Sequence, residues 1–197
     1  MILSKWTLTA KEFAIESNYN NYLIHQKICR MFNETTVLFD VNIDTLGNAN
    51  IYIQSINELM RSPLYGEINS KSINMDIITE STYHIKVKLN CIKQIKIEGK
   101  KNNKKIPIIG SDNVTKWLHD KQSKFGIMIT DVNVSQTYHT DATKCNNIIT
   151  CAWHDVSFDC SVVNLPLFKE MMINGIGSQK SFGYGMIKIF KQTTTKR

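Results

Sequence analysis

The sequence predicts an α+β chain built from two successive β-α-β-β-α-β units, and three observations lead there. Stretches of apolar/polar alternation recur along the 197 residues, the pattern of strands with one buried face. Between them lie stretches with apolar residues three and four apart, the spacing of a helix with one buried face. The order of these stretches then runs strand, helix, strand, strand, helix, strand in 1–90, and again in 91–197. Such an order is that of two tandem ferredoxin-like domains, with the boundary near 90. The two halves share no evident sequence repeat, so the prediction rests on element order.

Residues 1–9 alternate, with Ile2, Trp6 and Leu8 opposite Lys5, Thr7 and Thr9, and read as a strand. A polar stretch, Glu16-Ser17-Asn18, leads to 20–32, where Tyr22, Leu23, Ile24, Ile28, Met31 and Phe32 form a helical stripe. Strands follow at 37–43 and 50–55 around the turn signal Leu46-Gly47-Asn48. Residues 56–80 hold a short helical piece, Ile56–Met60, and a Ser-Pro-Leu-Tyr-Gly turn, so the second helix of this unit is degenerate. Residues 82–90 alternate, Tyr83, Ile85, Val87 and Leu89 against His84, Lys86 and Lys88.

The second unit begins with strand-like Ile92–Ile97 and Ile106–Ile109 on either side of a lysine block. Ser111 or Asp112 is expected to cap a helix carrying Val114, Trp117, Leu118 and Phe125. Strands at 127–135 and 147–160 flank a polar loop that contains His139 and Lys144. Asn164 and Pro166 start a last helix ending at Asn174, and a strand over 184–190 closes the unit.

Between that helix and that strand lies Gly175 to Gly185, holding four of the nine glycines. Gly175 suits the left-handed position that ends a helix. The others admit two readings: backbone that approaches an anionic ligand and aims N–H groups at it, with Lys180 adding a cation, or a tight loop packed on a sheet. Phosphate loops of the common kinds run from strand to helix, the reverse of the order here.

A net charge of +7 favours a polyanionic partner, nucleic acid before an anionic membrane. Arg30, Arg61 and Arg197 are the only arginines, so lysine–phosphate attraction outweighs bidentate base reading. Lys88, Lys93, Lys96, Lys100, Lys101, Lys104 and Lys105 cluster at the start of the second unit, either as a solvated loop or as a phosphate clamp. The five cysteines, Cys29, Cys91, Cys145, Cys151 and Cys160, suit a reducing cytoplasm. No metal site is expected, because strand alternation puts Cys151 on the opposite face from His154 and Cys160. No cofactor is implied either. No signal peptide is read at the start, and no apolar run reaches the ~20 residues of a membrane span.

Tyr22 and His25 are three apart on one helix face. Histidine can exchange a proton near neutrality, whereas a tyrosine of ordinary pKa is better at orienting a hydroxyl or phosphate. No Asp or Glu stands one turn from His25, so nothing supports a hydrolytic triad; a histidine half buried in a core fits the same residues. Lys27 lies about 200° round the helix from His25, on the wrong face to assist.

The spacing Gly-Ile-Gly-x-x-Lys-x-x-Gly-x-Gly before a final strand resembles the C-terminal glycine-rich loop of the RAMP superfamily of CRISPR-associated RNA-binding proteins. The start Met-Ile-Leu-Ser-Lys, the helix Tyr22-x-x-His25-Gln26 reaching Phe32, the stretch Val87–Lys93, and Ile106-Pro107 before Trp117-Leu118 are similar, in order, to the CasE-type endoribonuclease of type I-E systems. The sequence departs from that family in having lysine for most arginines and Cys91 where proline is common. The resemblance implies a cytoplasmic, metal-independent enzyme that binds a CRISPR repeat hairpin and cuts precursor CRISPR RNA by 2′-hydroxyl attack. It implies His25 and Tyr22 as catalytic residues; with Lys27 on the wrong face, Lys180 is the candidate for the stabilising cation. RNA contacts are then expected from the lysines of 88–105 and from Gly175, Gly177, Ser178, Gln179 and Gly183. Partners would be the repeat RNA and other subunits of a Cascade complex. The rival reading is a RAMP-type subunit that holds RNA without cutting it.

Overall fold

A computed structural model describes residues 1–78, 81–96, 103–144 and 147–191, without the side chains of Ile77 and Lys191. Lys100, Lys101 and Cys145 lie outside the described residues. The first sheet holds β1 (Ile2–Leu8), β2 (Leu38–Ile43), β3 (Ala49–Ser55) and β4 (Glu67–Ser72) in the order β2-β3-β1-β4. All its neighbours are antiparallel, as in a ferredoxin-like sheet. Helices α1 (Ala10–Ser17) and α2 (Asn21–Phe32) connect β1 to β2. The core between them contains Trp6, Leu8, Phe13, Ile24, Ile28, Phe32, Phe39, Ile51 and Ile53.

Helix α1 is not anticipated by the sequence reading, which names only the polar stretch Glu16-Ser17-Asn18 at its end. Its signal is a capping box: Glu12 N–H donates to Thr9 Oγ1 at 3.4 Å, and the Glu12 carboxylate accepts from Thr9 N–H at 2.8 Å. Conversely, the helical piece expected at Ile56–Met60 is absent. That segment is pinned as a loop, with the N–H groups of Met60 and Arg61 both donating to Met31 O at the end of α2. The connection to β4 is therefore made without a second helix.

The second sheet corrects the boundary. β5 (Thr82–Leu89), read as the last strand of the first unit, lies between β11 (Lys188–Lys191) and β10 (Asn147–Val162), and β8 (Ile127–Val134) follows, giving β11-β5-β10-β8. Alternation showed which face of 82–89 is buried but could not show which sheet it joins. The first sheet ends at Ser72, and the change of sheet falls before Thr82 rather than near 90. α3 (Ser111–Phe125) and α4 (Leu165–Asn174) cover one face, with Ile85, Leu89, Val114, Leu118, Phe158, Phe168 and Met171 in the core. Each unit thus has the ferredoxin-like strand order, and the chain is an α+β protein of two such units.

Four local expectations also change. The segments at 92 and 106 form a separate hairpin, β6 (Ile92–Ile95) with β7 (Lys104–Pro107). Gly110, not Ser111 or Asp112, holds the cap position of α3. The loop around His139 is a strand, β9 (Tyr138–Lys144), paired along the N-terminal half of β10. The last strand starts only at Lys188, because Tyr184, Met186 and Ile187 are buried in a loop before it. No helix among the described residues is long and apolar enough to cross a membrane.

Polar contacts join the two units. Asp40 on β2, whose side chain is 4% exposed, is ion-paired with Lys88 of β5 at 2.8 Å and with Lys188 of β11. Gln54 on β3 donates to Met172 O on α4 at 2.8 Å.

Candidate active site

Asn20 caps α2 by accepting from Tyr22 N–H at 3.0 Å, which fixes Tyr22 in the first turn and His25 one turn further. Their rings stack with centroids 6.1 Å apart and planes 15° off parallel. Phe39 lies 6.0 Å from the His25 ring, and Cys29 Sγ approaches His25 Nε2 at 3.6 Å. The imidazole is thus held on three sides and half-buried. Burial, and then the charge of Lys144, push its pKa below the ordinary histidine value. At neutral pH it is uncharged and able to accept a proton.

Both cations at the site come from the second unit. The β9–β10 hairpin reaches across to α2, where Asn20 Nδ2 donates to Thr143 O at 2.8 Å. This places Lys144 Nζ over the Tyr22 ring, 5.0 Å from its centroid. In the glycine-rich loop, a 3₁₀ turn over Lys180–Phe182 docks on the start of α2, with Asn21 Nδ2 donating to Phe182 O at 3.1 Å. Phe182 packs 5.7 Å from Tyr22. Lys180 Nζ donates to Asn174 O at 2.5 Å, and burial followed by the charge of Lys124 lowers its pKa. Tyr22, His25, Lys144, Lys180 and Ser181 all line one open cleft of about 790 Å³.

The structure therefore brings Tyr22, His25 and Lys180 together, as the sequence suggested. Lys144 and Ser181 were missed. Lys144 sits at the end of a strand read as a loop, and only the weak alternation of Tyr138, Thr140 and Ala142 marks that strand. Lys27 points away and is ion-paired with Glu16.

Other expected contacts are placed differently. Lys88 donates to Val41 O at 2.6 Å and pairs with Asp40, so its ammonium is committed inside the molecule rather than to RNA. Lys93, Lys96, Lys104 and Lys105 are exposed on or beside the β6–β7 hairpin, away from the cleft lining. The glycine loop packs on protein. The N–H groups of Gly175, Ile176, Ser178, Phe182, Gly183 and Gly185 all donate to backbone carbonyls. A Cβ on Gly177 would meet Asn90 O at 2.7 Å. Gln179 takes the left-handed conformation that turns the chain into the Lys180–Phe182 segment. Six of the eleven N–H groups in 175–185 are thus taken by the chain's own carbonyls. Among the described residues no group of three His, Cys, Asp or Glu is arranged to hold a metal. Cys151 and Cys160 fall in different cores.

The sequence profile described as "CRISPR associated protein" matches residues 1–191. The chain belongs to this CRISPR-associated protein family. Comparison with curated proteins finds no match. Among solved structures, a CRISPR endoribonuclease Cse3 bound to a 19-nucleotide RNA aligns at TM-score 0.82 and 14% identity, covering 96% of this chain and 100% of that one. Cas6e from Escherichia coli K-12 aligns at TM-score 0.78 and 19% identity, over 98% of this chain and 100% of that one. Thermus thermophilus Cse3, bound to an RNA representing a pre-cleavage complex, aligns at 0.81 and 14%, over 96% and 98%. At these identities the likeness establishes that this CRISPR-associated protein shares their fold.

Proposed function

We propose that this chain is a metal-independent endoribonuclease that binds the hairpin of CRISPR repeat RNA and cuts precursor CRISPR RNA. The observation that carries this reading is one cleft holding an uncharged, half-buried histidine beside a phenol and two ammonium groups. His25 takes the proton from the 2′-hydroxyl as the 2′-oxygen bonds to the adjacent phosphorus. The P–O5′ bond breaks, the 5′-oxygen takes that proton back from the His25 imidazolium, and a 2′,3′-cyclic phosphate remains. Tyr22 orients the phosphate, and Lys144 and Lys180 offset the charge that builds on its oxygens. Lys93, Lys96, Lys104 and Lys105, with Lys100 and Lys101 between them in sequence, hold stem phosphates. The neighbouring structures include CRISPR RNA-guided surveillance complexes, which supports a place for this chain beside other Cascade subunits.

The test is single-turnover cleavage of the cognate repeat RNA in EDTA. Cleavage is expected there, and none when the nucleotide 5′ of the cut carries a 2′-deoxy sugar. His25→Ala should slow the step by roughly 10²–10⁴ with RNA affinity retained, which separates a catalyst from a subunit that only holds RNA. Cleavage that needs magnesium, or that proceeds on the 2′-deoxy RNA, overturns the reading.

A further inference from the structure

A second groove, of about 330 Å³, lies between α3, α4 and the glycine-rich loop. Trp117, Lys121, Lys124, Glu170 and Lys180 line it, with the side-chain-free backbone of Gly175 and Gly177. It adjoins the cleft of His25, with Asn174 and Lys180 lining both.

The groove's chemistry is that of a single-stranded nucleic-acid path. Lys121 and Lys124 are exposed, and neither they nor Lys180 form an ion pair among the described residues, whereas Lys27, Lys88, Lys169 and Lys188 do. Lys124 is near enough to Lys180 to lower its pKa, so the groove concentrates positive charge against the single carboxylate of Glu170. Trp117 is half-buried and tilted against Phe125 at 6.4 Å, which leaves part of a rigid ring at the groove wall. Cations that track a backbone, beside an aromatic surface for a base, are what single-strand binding needs. The groove has the size of a nucleotide, not of a duplex.

We propose that this groove binds the single-stranded RNA that continues from the scissile phosphate away from the hairpin stem. Lys121 and Lys124 contact its phosphates and Trp117 stacks a base. The proposal rests on the cleavage reading above for the direction of the strand.

The experiment compares affinities of the full chain for 2′-deoxy-blocked repeat hairpins: bare, with a short 5′ flank, or with a short 3′ flank. The variant is Lys121→Ala/Lys124→Ala, both at exposed positions that leave the core untouched. One flank should raise wild-type affinity at least about fivefold, the lower bound for stacking one base. The double variant should bind the bare hairpin as wild type does and lose most of that gain. Its salt slope on the flanked RNA should fall by about 1.4, at ~0.7 for each single-strand phosphate contact. Trp117→Leu, which keeps an apolar wall, should lose the stacking share. No flank gain in the wild type, or the same gain in the double variant, overturns the proposal. Cleavage of an unblocked hairpin that carries both flanks, measured alongside, separates the two readings. Normal cleavage without a lysine-dependent flank gain removes the groove alone, and a lysine-dependent gain without cleavage removes the enzyme alone.

Discussion

Replacing Gly185 with alanine tests what the glycine-rich loop is for. Gly185 has φ 84°, a conformation an L residue adopts at a cost of about 1–3 kcal/mol. Its added Cβ would lie 2.2 Å from Ile176 O, and that atom cannot swing aside as a side chain would. Ile176 N–H donates to Gly185 O at 3.0 Å and Gly185 N–H to Lys88 O at 2.8 Å, so both backbone segments are tied down. Forcing an atom into such a contact adds roughly 1–3 kcal/mol. A total near 4 kcal/mol lowers Tm by about 12 °C, at ~3 °C per kcal/mol for a chain of this size. Gly110→Ala is the control, since φ is 86° but the nearest atom to its Cβ is 3.8 Å away. It pays only the backbone cost and should lose about half as much. Thermal unfolding by circular dichroism reads the shifts, and binding of a blocked repeat RNA well below Tm reads affinity. An unchanged Tm for Gly185→Ala with a large loss of RNA affinity would refute the packing argument and return the glycines to a ligand.

Two further outcomes follow from the site and from the joint between sheets. If His25 acts as the base, the second-order cleavage rate at subsaturating enzyme rises with pH through a point below 6.5 and is flat above it, because the deprotonated ring is the active form. Lys144→Ala removes one cause of the lowered pKa and should move that inflection upward while lowering the plateau; a rate that falls over the same range would make the protonated ring the acting form. Asp40→Ala strands Lys88 and Lys188, whose side chains are 25% and 32% exposed, without their shared carboxylate. A cost near the lower end of the ~3–5 kcal/mol for breaking a buried pair is expected, since the lysines can reach water, and a wild-type Tm would show that the joint bears no weight.

The sequence made local facts legible and long-range ones obscure. Alternation in 82–89 revealed a strand with one buried face, yet its partners are at 154–161 and 188–191, and no local pattern names them. The Tyr22–His25 pair was visible because helical spacing makes residues three apart into neighbours. Lys180 was visible through the glycines around it. Lys144 was not, because its strand is polar and exposed, and its approach to Tyr22 depends on the register of β9 along a 16-residue β10. The glycines stayed ambiguous for a physical reason. Close backbone approach is what glycine permits, but sequence does not say whether the approaching surface is a ligand or, as for Gly177 against Asn90, the chain itself.

The composite origin of the cleft makes the joint between sheets part of the chemistry. His25 and Tyr22 belong to the first unit, while Lys144 and Lys180 arrive on separate elements of the second. On the cleavage reading, neither unit alone would hold both the proton acceptor and the cations for the phosphate. Among the described residues, the polar contacts across the joint include Asn20 to Thr143, Asn21 to Phe182, Gln54 to Met172, Lys88 to Val41 and the Asp40 pair. Loosening one of them would leave the His25 ring in its pocket of Tyr22, Phe39 and Cys29. It would let the lysines drift, and a misplacement of about 1 Å can cost a reaction some 10²-fold. Asp40→Ala should therefore depress the plateau of the pH profile, and withdrawal of Lys144 from His25 should move its inflection upward, by less than Lys144→Ala, which removes that charge outright.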